Sequence, residues 1–248
     1  MNKYDLLLLV DNKDYNKLPL CIEKCLQYLE PKPSSIYIVS SDNIIIENLN
    51  IDIPIYYYID DDILPIKKED INYRRKGWIF KQFINLFQNV TQERYYLSVD
   101  TDLFFTQPLN LFSNNKPIFF ITNRDQYHKP YFECMKKLFN VDKICQKTFI
   151  CDFMMFDKIL RNNIWEIYQY TALSLFEKLN PILSEECLFC DYEPYGTLIQ
   201  KYYPNEYAFV DIKTQLLGRF NQDWSENEIL ELISTNKEYN LITTHTWI

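Results

Sequence analysis

The apolar positions of this chain change period along its length. Leu6 to Val10 is an unbroken apolar run. A strand buried on both faces of a parallel sheet reads this way. From Leu18 the period becomes helical: Leu18, Ile22, Cys25, Leu26 and Leu29 fall on one face, and Pro31-Lys32-Pro33 ends the segment. Ser35–Ser40 and Ile55–Ile59 return to strand character. Strand, helix, strand at this spacing predicts a βαβ unit, and with it a parallel sheet and a right-handed crossover.

Further on, Trp78–Phe87 is predicted as a helix with Trp78, Ile79, Phe83, Leu86 and Phe87 on one side. Arg94–Val99 is a predicted strand that runs directly into Asp100-Thr101-Asp102, and Leu103–Phe105 continues its apolar pattern. Pro117–Thr122 is a predicted strand, and Lys129–Phe139 and Ile164–Leu179 are predicted helices. Ser184–Phe209 has no clean period. With no repeat, low-complexity tract or linker in the chain, the expectation is a single α/β domain over residues 1–248.

Composition narrows the chemistry. The 248 residues are 47% apolar and 24% charged, a globular balance that excludes wholesale disorder. The three glycines, Gly77, Gly196 and Gly218, are scattered, so neither a G-x-G-x-x-G dinucleotide turn nor a P-loop can be built. Nucleophile-elbow and H-E-x-x-H motifs are absent, and the histidines are His128 and His245 alone. A net charge of −8 argues against nucleic acid as a partner. An acidic protein that binds an anionic ligand often bridges to it through a divalent cation. Seven cysteines, an odd number, predict free thiols in a reducing, cytoplasmic setting. Cys187-x-x-Cys190 has no second C-x-x-C or nearby His and reads as two ordinary thiols. The apolar run after Asp5 is too short for a signal-peptide core, and no segment approaches the roughly 20 apolar residues of a spanning helix.

The feature that carries chemistry is Tyr96-Leu97-Ser98-Val99-Asp100-Thr101-Asp102-Leu103-Phe104-Phe105. An apolar strand delivers two carboxylates, one residue apart, at its carboxyl end, where open α/β sheets bind ligands. Such a pair can face one cation, directly or through water, and hard oxygen ligands suit Mg2+ or Mn2+. The plainer reading is two solvated turn aspartates.

Together with Arg75-Lys76-Gly77-Trp78-Ile79-Phe80-Lys81-Gln82 ahead of it, this strand resembles the GT-A-type glycosyltransferases. More narrowly, it is similar to a little-characterised set from bacteria and large DNA viruses that carries a Gly-Trp-x-x-Gln-Gln helix before a D-x-D strand. Phe149-Ile150-Cys151-Asp152-Phe153-Met154-Met155-Phe156-Asp157, then Ser184-Glu185 and Tyr192-Glu193-Pro194-Tyr195-Gly196, resemble that set's later blocks. The likeness spans Leu6 to His245 and is specific in block order. Lys81 and Asn85 depart from it, standing where the set has Gln and often Lys. It implies a GT-A-like fold, with one Rossmann-like, mostly parallel mixed sheet flanked by helices. Residues 1–110 would form the nucleotide-binding half and 111–248 the acceptor side. It further implies a nucleotide-sugar donor, UDP-linked, bound through its diphosphate to Mn2+ or Mg2+, and a glycan or other hydroxyl acceptor. Asp102 would be the main metal ligand. Asp100 would bind metal or donor hydroxyls, and His245, near the C-terminus, would complete the metal shell.

Other residues extend this expected site. Val10 and Asp11, at the end of the first strand, would meet the nucleoside, although a strand-ending Asp needs no ligand to explain it. Arg74 and Arg75 would reach phosphate or donor hydroxyls, against a solvated basic patch. Trp78 would stack on ligand, against a place in the core, and Gln82 would point its amide at the sugar. Transfer also needs a group near the reacting carbon. Glu193 is the first candidate, Asp152 the second and Asp191 the third. Asp60-Asp61-Asp62 reads as a solvated loop. Two other classes compete with transfer: a D-x-D phosphohydrolase, whose motif would end the first strand, and a non-catalytic glycan-binding module on the same fold.

Overall fold

The computed structural model describes residues 2–42, 51–123, 128–220 and 222–247. Its strands are β1 (Tyr4–Val10), β2 (Leu29–Glu30), β3 (Ile36–Ser40), β4 (Ile55–Ile59), β5 (Tyr95–Asp100), β6 (Leu103–Phe105), β7 (Leu109–Asn110), β8 (Phe112–Ser113), β9 (Lys116–Ile121), β10 (Phe153–Asp157), β11 (Ala208–Asp211), β12 (Thr214–Phe220) and β13 (Leu241–Trp247). Its helices are α1 (Leu18–Tyr28), α2 (Lys76–Phe87), α3 (Lys129–Phe139), α4 (Lys158–Tyr168), α5 (Ala172–Leu179), α6 (Tyr192–Tyr202) and α7 (Glu226–Thr235).

Among the described residues, a central five-stranded sheet runs in the order β10-β5-β1-β3-β4. β5, β1, β3 and β4 are parallel, and β10 is antiparallel to β5. The parallel pairing is the one the βαβ pattern predicts, and the mostly parallel mixed sheet flanked by helices is the one the resemblance implies. Because side chains alternate along a strand, β1 feeds two cores. Leu7 and Leu9 pack into one, with α2, α4 and α6, and Leu6, Leu8 and Val10 into the other, with α1 and α7. Burial on both faces explains why the Leu6–Val10 stretch of β1 is apolar without interruption. Three smaller sheets among the described residues, β11-β9-β8, β12-β13-β6 and the two-stranded β2-β7, extend the molecule. Among the described residues no helix is long and apolar enough to cross a membrane.

The predicted helix Ile164–Leu179 is two helices. Gln169 ends α4 in the left-handed region at φ 53°, and Thr171 then caps α5, with Ser174 as its reciprocal partner. The Ser184–Phe209 stretch hides α6 because Tyr192 to Ile199 is buried all round, which leaves no amphipathic period to read. Leu241–Trp247 is a full strand, β13, paired on both sides, with Leu241 to Thr244 buried.

Candidate active site

β1 and β5 lie side by side and parallel, with Leu9 opposite Asp100, so Val10, Asp11 and Asp100 finish at the same edge of the sheet. The chain then turns through Thr101 and Asp102 into β6, which pairs antiparallel with β13 and sets Leu103 opposite Thr243. That register continues one residue further: Thr244 N–H donates to the Asp102 carbonyl at 2.8 Å. His245 is thereby carried alongside the turn, with its Nε2 3.8 Å from Asp102 Oδ2. Two residues 143 positions apart meet because one short antiparallel pairing fixes them.

Charge concentrates here. Asp100 Oδ1 lies 3.8 Å from Lys81 Nζ, which α2 delivers. Burial pushes Asp102 up to about 7, and the nearby Asp14 and Asp152 charges add to this against Lys81 and Lys17. Burial likewise pushes Asp100 up to about 6; Lys81 opposes the rise, and Asp102 and Asp152 reinforce it. Burial works against the Lys81 charge, yet Asp100, Asp102, Asp14 and Asp11 outweigh it and raise its pKa. The acids Asp11, Asp14, Asp100, Asp102 and Asp152 thus share one electrostatic neighbourhood with two lysines. The Asp100 and Lys81 side chains remain 36% and 29% exposed, open to a ligand.

The three candidates for the transfer chemistry are in different settings. Asp152 precedes β10 in the left-handed region at φ 63°, which Asp tolerates better than most residues. Its carbonyl accepts from Asp100 N–H at 3.0 Å, and its Oδ2 accepts from Thr243 Oγ1 at 2.7 Å, so these two bonds reach the carboxylate turn and β13. Asp191 is buried before α6, and its Oδ2 accepts from Asn85 Nδ2 at 2.7 Å. Burial pushes it up to about 7, opposed by the Asn85 hydrogen bond and reinforced by the Asp100 charge. Glu193 differs. It is 0% exposed; Oε1 accepts from Thr148 Oγ1 and from Phe149 N–H, and Oε2 forms a 3.0 Å ion pair with Lys143. Sealed from solvent and with both oxygens engaged inside the protein, Glu193 presents no accessible oxygen to a substrate. It therefore moves from first to last of the three.

No protein-family model matches this chain, and no curated protein matches its sequence. Among solved structures it is similar to mouse xyloside xylosyltransferase 1 in the apo form, with a TM-score of 0.51 and 9% identity over 98% of this chain and 97% of that one. The chain has a glycosyltransferase-like fold.

Within that fold the remaining expected donor contacts divide. Val10 is buried and Asp11 exposed, both beside the carboxylate turn. Arg74 faces elsewhere, in a 3.1 Å ion pair with Glu185. Arg75 lies over the ring of the half-buried Trp78 at 4.4 Å, and Trp78 also meets Tyr131 at 6.0 Å. Gln82 is buried; its amide donates to the Trp78 carbonyl at 3.2 Å and its Oε1 has no partner. Cys187 and Cys190 are free, buried thiols. The Asp60 end of the acidic loop is buried and ion-paired with Lys68 at 2.7 Å, so that cluster is only partly the solvated loop expected.

Sequence reasoning missed the supports of this site. Lys17 is fully buried and binds Asp14 at 2.9 Å, the Thr244 carbonyl at 3.3 Å and Thr246 Oγ1 at 3.3 Å, so it grips β13 on either side of His245. Nothing in the sequence reading marks it. Asn85, noticed only as a departure, accepts from Ser98 Oγ at 2.7 Å and donates to Asp191, tying β5, α2 and α6 together.

Among the described residues no group of three His, Cys, Asp or Glu side chains stands ready to hold a metal. Asp102 and His245 do form a carboxylate–imidazole pair, and both D-x-D carboxylates are raised, by burial first and by neighbouring acids second. That donor chemistry, and a surplus of negative charge that a cation would relieve, fit Mn2+ or Mg2+ completed by ligand oxygens and water.

Proposed function

We propose that this protein is a metal-dependent glycosyltransferase that moves a sugar from a nucleotide-sugar donor, UDP-linked, to a glycan or other hydroxyl acceptor. One observation carries the reading. On a glycosyltransferase-like fold, the D-x-D turn at the end of a central parallel strand receives a histidine from the C-terminal strand, 3.8 Å from its second carboxylate. Asp102 and His245 would hold the cation, with Asp100 joining them through water; when bound, the metal supplies charge stabilisation on the leaving diphosphate.

The chain's own groups do the rest. Lys81, partly exposed beside Asp100, offers an ammonium to a diphosphate oxygen. Val10 and Asp11 border the nucleoside end. Asp152, bonded to Thr243, and Asp191, bonded to Asn85, are the candidates to orient a sugar hydroxyl or hold its proton.

The test is a donor screen. UDP-, GDP- and TDP-sugars are incubated with Mn2+ or Mg2+, and release of the nucleoside diphosphate is followed. Metal-dependent release from UDP-sugars is expected. Metal-dependent hydrolysis of phosphate monoesters without any such release would instead identify a phosphohydrolase. Nucleotide or glycan binding without turnover would identify a binding module.

A further inference from the structure

A groove of 660 Å³ opens at the N-terminal end of α2, between the segment from Glu69 to Lys76 and the loop at Ser184 and Glu185. It holds none of the carboxylate-turn residues. We propose that this groove binds a neutral saccharide and serves as the acceptor subsite of the transfer. The acceptor role rests on the transferase reading above; saccharide binding does not.

Four features support the assignment. First, the volume lies inside the range of about 300–1,000 Å³ typical of small-molecule sites. Second, the lining has three carboxylates, Glu69, Asp70 and Glu185, against two cations, Arg74 and Lys76. Lys76 pairs with Glu69 at 2.9 Å and Arg74 with Glu185 at 3.1 Å. No surplus cation is left to draw a phosphorylated ligand, so the groove favours a neutral polyhydroxyl one. Third, Tyr73 packs against the core and sets its hydroxyl on Glu185 Oε1 at 3.1 Å, which gives a ring with a polar rim. A planar guanidinium and carboxylates beside an aromatic ring match the paired hydroxyls and the C–H face of a sugar. Fourth, the wall is fixed in advance. Asn72 N–H donates to Asn180 Oδ1 at 2.7 Å, and Asn180 Nδ2 donates to the Asp70 carbonyl at 2.9 Å.

Helix α2 reaches both the groove and the carboxylate turn. Lys76 opens α2, and Lys81, which meets Asp100, follows on the same helix about 7.5 Å along its axis at 1.5 Å per residue. The Arg74–Glu185 pair that lines it is 74% and 65% exposed and adds little stability alone, so its groups can be exchanged for ligand hydroxyls.

Saturation-transfer-difference NMR on the full chain, without donor or metal, tests this with lactose, cellobiose, maltose and xylobiose at millimolar concentration. Transfer to at least one sugar is expected. Glu185→Ala and Tyr73→Leu should each weaken binding about ten-fold, the scale of one lost charged hydrogen bond or one ring contact. Both variants should keep the wild-type affinity for UDP with Mn2+. No transfer to any of these sugars, or unaltered signals in both folded variants, overturns the groove assignment. Disaccharide binding in a protein that ignores UDP and Mn2+ would leave the groove standing and remove the transferase reading.

Discussion

Asp191 is a buried carboxylate raised from 3.8 to about 7, so at alkaline pH its charge is a cost to the fold. Its folded value lies above the unfolded one. The folded state therefore holds the proton more tightly, and stability is fullest below the ordinary carboxylate range and falls as pH rises towards about 7. Asp191→Asn keeps an oxygen for the Asn85 amide and removes the charge. The variant should melt higher than wild type at pH 8, by up to roughly 4 kcal/mol, and the advantage should vanish near pH 4. Equal melting at pH 8 would show that the acid is not burdened. Glu193 calls for the opposite expectation. Glu193→Gln leaves Lys143, 15% exposed, without its counter-charge, and should lower the urea midpoint by an amount worth about 3–5 kcal/mol. A variant of wild-type stability but slow turnover would return Glu193 to the reacting carbon. At this scale the sequence reveals the carboxylate turn and His245, because a strand running into D-x-D is visible in one dimension. It conceals Lys17 and Asn85, whose roles exist only once β13 and α6 have packed against them.

Helix α6 is wedged into the larger core, and Gly196 is what lets it approach. A Cβ there would stand 2.5 Å from the ring of Phe149, itself buried against Phe119 and Phe209. Gly196→Ala should therefore destabilise by about 1–3 kcal/mol, the usual result of overfilling a packed core. A Cβ at Gly77, in the first turn of α2, would meet nothing within 4 Å. Gly77→Ala should be neutral or gain about 0.5–1 kcal/mol from helix propensity. Paired thermal melts separate the two; a tolerated Gly196→Ala would mean that α6 does not pack as described. The elements the sequence shows best are helices with one wet face, such as α1 and α2, and the short unbroken apolar runs of β1 and β3. The helices it hides are buried all round, like α6, or broken by a left-handed residue, like the α4–α5 junction at Gln169.

At the scale of the molecule, a parallel sheet with a core on each face ends in a single acidic edge, and a C-terminal strand returns to close it. The carboxylates at that edge are held against their own repulsion by two lysines. If Asp102 and His245 bind a nucleotide diphosphate through a divalent metal, as proposed, nucleotide affinity must depend on both the metal and the carboxylate. Isothermal titration of UDP, with and without Mn2+, into wild type and into Asp102→Ala tests this most directly. Binding to wild type should require Mn2+, and it should be lost in a variant whose circular dichroism and melting remain those of a folded protein. UDP binding that is indifferent to Mn2+, or unchanged affinity in folded Asp102→Ala, would contradict the metal-bridged site.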